Sequence, residues 1–302
     1  MRGSIRGLLA SVILAGLIVC ASAATPEDDY VAVRDVAIAR IKAAVAADKH
    51  GPMDSTAQAI IDDDNRARAE LEKKVRAIVG PVSIRGMAGE AHLNLDTLND
   101  SFQGFGMLDG VVFSGVDART RVIVTTDGLF KRWLINWWDD KDKPAPQLDG
   151  LVRNDNFYTH AILTDAAVVR FADVPLKKPA GASFAYAMLA ARTQDMVPDK
   201  ANEIFVVMAQ GGRIYLAYTR EFGAVGPAAA CEAIRKDYIK RSEAAANEEG
   251  LDDAARAKKS EELSGKSDSE FLRCFAEKAA QQKGYAGAAR AAQALLNRLP
   301  QR

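Results

Sequence analysis

Cysteine, histidine and net charge are all scarce in this chain, and each shortage removes a class of function. Its 302 residues carry three cysteines and three histidines. His50, His92 and His160 lie far apart and none belongs to a helical H-x-x-x-H pair, so a histidine-led zinc site has no starting point. The 40 basic side chains face 40 acidic ones, which leaves no electrostatic case for a nucleic-acid partner. Neither G-x-S-x-G nor S-x-x-K occurs, so serine-hydrolase chemistry lacks its nucleophile motif. Long apolar runs are missing too. The twelve uncharged residues Leu8–Val19 fall short of the roughly 20 that a helix needs to cross a bilayer.

That short run has another reading. Arg2 and Arg6 precede it, and Ala21, Ser22, Ala23 and Ala24 follow, in the charged, apolar and small-residue order of a secretory leader. The A-x-A pattern puts cleavage after Ala23. Residues 1–23 are therefore expected to be a signal peptide, and the mature chain to be periplasmic or secreted with no transmembrane segment. Cys20 does not fit a lipid-modified site, because Val19 stands where a small residue belongs. Loss of the two arginines leaves 38 basic against 40 acidic side chains, a formal charge of −2. With 48% hydrophobic residues, what remains can bury a sizeable core.

Residues 24–81 read as an antiparallel helical pair. Thr25, Pro26 and the acids Glu27, Asp28 and Asp29 supply a cap, a preset φ and negative charge at a helix N-terminus. Tyr30, Val33, Ala37, Ile41 and Val45 then recur at helical spacing until Gly51-Pro52. Ser55 and Gln58 open the second helix, which places Ala67, Leu71, Val75 and Ile78 on one face and stops at Gly80-Pro81.

From 82 to 222, short apolar runs divided by Gly, Pro and Asp predict about seven strands. Gly110 to Asp140 reads as strand, strand and an aromatic helix. In that helix Leu129, Phe130, Trp133, Leu134, Trp137 and Trp138 share one arc at about 100° per residue, with Thr126 or Asp127 as the N-cap. Ile204 to Ala209 and Arg213 to Thr219 form a hairpin about Gly211-Gly212; the strand from Ile204 is apolar on both faces, and the pair is therefore central in the sheet. Tyr158 to Leu163 and Ala167 to Phe171 are expected to make another hairpin, and Phe184 to Arg192 a longer strand.

Residues 223–302 are expected to be helical. One helix starts near Pro227, and Gly250 and Gly265 bracket a polar piece, Leu251 to Leu263, that reads as a solvated helix or an arm. A capping box at Ser267 and Glu270 then opens a helix carrying Phe271, Cys274 and Phe275. The fold class is α+β, a central and mostly antiparallel sheet with an inserted aromatic helix, flanked by N-terminal and C-terminal helices.

Several motifs fail on context. Gly265-Lys266-Ser267 resembles the end of a phosphate loop, but Ser260 stands where its first glycine belongs and no buried strand precedes it. Gly104, Gly106 and Gly110 miss the dinucleotide spacing by one. Asp62-Asp63-Asp64-Asn65 lacks the glycine of a calcium loop, Ala67 occupying its place, and reads as a solvated face.

Two constellations remain. Cys231, early in a helix, is a candidate nucleophile with His160 as its base and Asp155 or Asp165 as orienter. The competing reading joins Cys231 to Cys274, the only cysteines of the exported chain, in a disulfide between neighbouring helices. Trp133, Trp137 and Trp138 form the candidate binding surface. Trp133 and Trp137 also suit the core, and Trp138, beside Asp139 and Asp140, is expected to be partly exposed.

These observations point to an exported, non-catalytic binding or interaction protein of the cell envelope. No cofactor or metal is expected, and the partner is an envelope protein or a small ligand. A cysteine-type envelope hydrolase using Cys231 and His160 is one rival. A structural or assembly factor using its terminal helices is the other. Oligomeric state leaves no signature in these residues.

Overall fold

The computed structural model describes residues 25–47, 55–93, 108–116, 119–137, 147–153, 157–158, 161, 167–193, 200–247 and 252–300. The first helix, α1, runs Pro26–Ala47 and the second, α2, Ser55–Val79. Thr25 and Asp28 cap α1 reciprocally: the Asp28 amide donates to Thr25 Oγ1 at 3.2 Å, and the Thr25 amide to Asp28 Oδ2 at 2.8 Å. The three acids of this first turn reach three different places. Glu27 accepts from the Thr126 hydroxyl, Asp28 pairs with Arg132, and Asp29 pairs with Lys74 of α2. Gly80, at φ 71°, ends α2 by donating its amide to the Arg76 carbonyl, and Arg213 Nε donates to the Val79 carbonyl at 2.9 Å.

Seven strands follow: β1 Met87–His92, β2 Gly110–Gly115, β3 Thr120–Thr126, β4 Ala167–Asp173, β5 Phe184–Thr193, β6 Ala201–Gln210 and β7 Arg213–Val225. Every neighbouring pair is antiparallel, in the order β1-β2-β3-β7-β6-β5-β4. The sheet is two meanders, β1 to β3 and β4 to β7, whose last strands pair in the middle. The chain leaving β3 must therefore travel from the middle of the sheet to its far edge before β4 begins. It covers one face on the way, here termed the crossover face. The helices of both chain ends cover the other, the terminal face.

Alternation along β6 separates the two cores. Ile204, Val206 and Met208 enter the terminal-face cluster, while Phe205, Val207 and Ala209 enter the crossover-face cluster. This is the two-sided burial expected of that strand. Gly211 and Gly212 take φ of 59° and 75° in the turn to β7, angles that favour glycine. Gly110 is the first residue of β2, paired with His92 of β1, and not part of a phosphate loop. A Cβ there would lie 2.3 Å from the Val124 carbonyl oxygen, so only glycine admits this close strand approach.

On the crossover face lie α3, Asp127–Trp137, and the short α4, Leu148–Leu151. On the terminal face the C-terminal helices α5 (Ala229–Ala246), α6 (Asp253–Glu277) and α7 (Tyr285–Arg298) join α1 and α2. Cys231 and Cys274 form the expected disulfide between α5 and α6, with a Cα separation of 5.6 Å. Phe171 of β4 packs edge-on against Phe271 and Phe275 beside it. Among the described residues no helix is long and apolar enough to cross a membrane.

Two expectations are corrected. Phe157, Tyr158 and Ala161 are helical and buried in the crossover core, so the strand expected from Tyr158 is not formed there, and among the described residues β4 pairs only with β5. Short apolar runs fit either period, and here packing decided: the Tyr158 ring lies 4.9 Å from both Phe157, edge-on, and Phe205, tilted, and its hydroxyl donates to the Val152 carbonyl. The second correction concerns α6, which is capped by Asp252, whose carboxylate accepts from the Ala255 amide at 2.7 Å, and continues unbroken through Gly265 and Ser267. No helix starts at the Ser267–Glu270 box. An internal glycine costs a helix only about 1 kcal/mol, less than the disulfide and the buried Phe271 and Phe275 return from holding it in register.

Candidate functional site

Helix α3 starts where it does because the end of β3 caps it. Thr126 Oγ1 accepts from the Leu129 amide at 3.2 Å, and the Asp127 amide donates to the Gly212 carbonyl in the β6–β7 turn. Gly128 permits the close approach of Glu27, whose carboxylate lies 3.0 Å from where a Cβ would sit. The helix is thereby anchored at one end of the sheet, and its aromatic arc falls onto the strands. Trp133 is 6% exposed, with Phe130 at 5.9 Å and Phe157 at 6.0 Å between ring centroids.

Beside this anchored end the crossover face is incompletely filled. A groove of about 710 Å³ opens between α3, α4 and the ends of β5, β6 and β7. Phe130, Leu134, Leu148, Phe184, Ala209 and Ile214 make its apolar surface. Asp127, Lys131, Gln147, Asp149 and Ser183 supply its polar groups. Residues 127, 130, 131 and 134 are one stripe of α3, at the i, i+3, i+4, i+7 spacing of a single helix face. The volume lies within the roughly 300–1,000 Å³ of small-ligand sites.

The polar groups differ in what they already bind. The Ser183 hydroxyl donates to the Ala209 carbonyl, and Asp149 pairs with Arg153 at 3.4 Å. Arg153 in turn pairs with Asp173 at 2.7 Å and stacks 5.1 Å over the Tyr186 ring. Asp173 also takes Arg170 and the Tyr186 hydroxyl, so α4 is braced against β4 and β5. Burial pushes the Asp173 carboxyl up, but the Tyr186 hydrogen bond and the two guanidiniums outweigh it and hold the group below its ordinary value. Tyr186 is raised by burial and by the same carboxylate. Among the described residues Asp127 and Lys131 form no ion pair, and the Gln147 side chain makes no capping hydrogen bond.

A second polar cluster is buried under α1 on the terminal face. The Tyr30 hydroxyl donates to Asp109 Oδ1 at 2.8 Å, and Arg34 Nη1 to Asp109 Oδ2 at 2.6 Å. Burial raises Tyr30, with Asp109 adding to the shift. His92 on β1 is pushed below its usual value by burial, against the opposing pull of Asp109. All three linked side chains are buried and satisfy one another, so this cluster ties α1 to the entry of β2. Sequence reading missed it. Tyr30 was one more member of an apolar helix face, and nothing local couples it to Asp109, 79 residues away.

The residues singled out from the sequence are not brought together. Cys231 is bonded and fully buried in the terminal-face core, and a bonded sulfur has no thiolate to offer. His160, Asp155 and Asp165 lie outside the described residues, and Tyr158 and Ala161 beside His160 belong to the opposite core. Trp133 backs the groove without lining it. The Trp137 side chain, and all of Trp138, also lie outside the described residues, as do positions 1–24. Among the described residues no group of three or more His, Cys, Asp or Glu is placed to hold a metal ion.

No protein-family model, curated protein or solved structure matches this chain.

Proposed function

We propose that this chain is an exported, non-catalytic binding protein of the cell envelope, periplasmic or secreted, and that its ligand occupies the groove beside α3. The observation that carries this reading is the composition of that groove: a continuous apolar surface of six side chains with a few polar groups, two of them charged and unengaged. The disulfide between Cys231 and Cys274 agrees with export, since oxidising compartments maintain such bonds.

A neutral apolar dye, N-phenyl-1-naphthylamine, tests the site. The purified chain should enhance its fluorescence saturably at one site, and Leu148→Glu and Phe184→Ser should each abolish the signal while circular dichroism stays unchanged. Dye binding that survives both substitutions would overturn the assignment. Intact-mass measurement on envelope fractions tests the compartment: protein beginning at Ala24 or Thr25 supports it, and full-length protein counts against it.

A further inference from the structure

We infer that the groove selects a short apolar peptide with both termini free, of about two residues, its ammonium on Asp127 and its carboxylate on Lys131. This rests on the groove being the binding site. The argument begins with charge. Four ionised side chains stand in or beside the groove, and Asp149 and Arg153 neutralise each other. Asp127 and Lys131 do not, although they lie one turn apart on the same stripe. A ligand of one charge would satisfy one of them and leave the other opposed to it; a zwitterion satisfies both.

Spacing then sets the length. Four residues of α-helix separate the two side chains by about 6 Å along the axis. An extended dipeptide spans about 7 Å. A single amino acid holds its charges closer than that, and a longer peptide carries its carboxylate past Lys131. Between the two charges the α3 stripe presents Phe130 and Leu134, and Leu148, Phe184 and Ile214 complete the apolar surface for two hydrophobic side chains. Gln147, which caps nothing, faces the groove with an amide able to donate and accept, as a peptide bond requires.

The test is calorimetry of the purified chain with leucyl-leucine and with its acetylated, amidated form, which has the same side chains and no charge. Leucyl-leucine should bind, and the blocked form more weakly. Lys131→Gln and Asp127→Asn should each weaken leucyl-leucine by about threefold to tenfold and leave the blocked form unchanged. Both positions are exposed, so melting points should not move. Equal affinity for the two forms, or indifference of leucyl-leucine to both substitutions, overturns the inference. If neither peptide binds while the apolar dye does, the inference falls and the groove stands. If dye and peptides all fail, both fall.

Discussion

Among the described residues the two faces of the sheet are covered by different amounts of helix, and the groove beside α3 lies on the less covered one. Seven strands at about 4.8 Å make a surface roughly 34 Å wide, which needs about three helices of 10 Å diameter to cover it. The terminal face has five helices, drawn from both ends of the chain. Among the described residues the crossover face has α3, with 11 residues, and short turns that include α4. Its core is correspondingly aromatic, because Phe130, Trp133, Phe157, Tyr158 and Phe205 fill with ring volume what backbone does not. The face with excess cover carries the disulfide and the buried ion cluster. Open space remains on both: the groove of about 710 Å³ beside α3, and one of about 560 Å³ between the end of α2 and β1–β2 on the terminal face.

This division predicts that stability and binding respond to different substitutions. The largest losses should come from one residue on each face. Asp109→Ala takes from the buried Arg34 its buried carboxylate, leaving it only the exposed Asp35, and leaves Tyr30 without its acceptor, and should cost about 3–5 kcal/mol. Trp133→Ala should cost a similar amount, about 3–5 kcal/mol, by emptying the middle of the aromatic cluster. Denaturant melts measure both. Only the Trp133 variant should also weaken dye binding in folded protein; an equal effect from Asp109→Ala would show that the faces are coupled.

Next is the disulfide. The Cys231–Cys274 bond spans 43 positions, for which restriction of the unfolded chain gives roughly 4 kcal/mol, with losses of about 2–4 typical. Reduction should lower the melting point visibly without touching the groove. A melting point unchanged by reductant would mean that the bond constrains little.

Acid should separate the faces by pH. His92 has a folded value below its unfolded one, so the unfolded chain binds the extra proton and stability falls as pH drops from about 6.5 toward the folded value. Asp173, also depressed, contributes stability above the ordinary carboxyl range and loses it at lower pH, as the group protonates in the folded state. Melting curves of His92→Gln and Asp173→Asn should flatten the first and second windows respectively. A His92 variant with the parent's slope between pH 7 and 5 would remove that residue from the account.

The smallest effects belong to the groove itself. Lys131→Gln and Asp127→Asn should change stability by no more than about 0.5 kcal/mol, because exposed side chains without an ion pair among the described residues hold little of the fold. Their effect should appear in ligand titrations alone.

Much of this architecture was legible along the chain. Period and punctuation placed α1, α2, α3 and the β6–β7 hairpin, since capping groups, glycine turns and apolar spacing act within a few residues. Two-sided apolarity marked β6 as central, and elimination paired the cysteines. Tertiary structure decided the rest. The pairing of β3 with β7, the helical state of Phe157 and Tyr158, the bond from Tyr30 to Asp109 and the groove at Lys131 all join residues far apart in the chain. A side chain's own neighbours report its local conformation. They carry no record of which distant surface will come to lie against it, nor of where two layers will fail to meet.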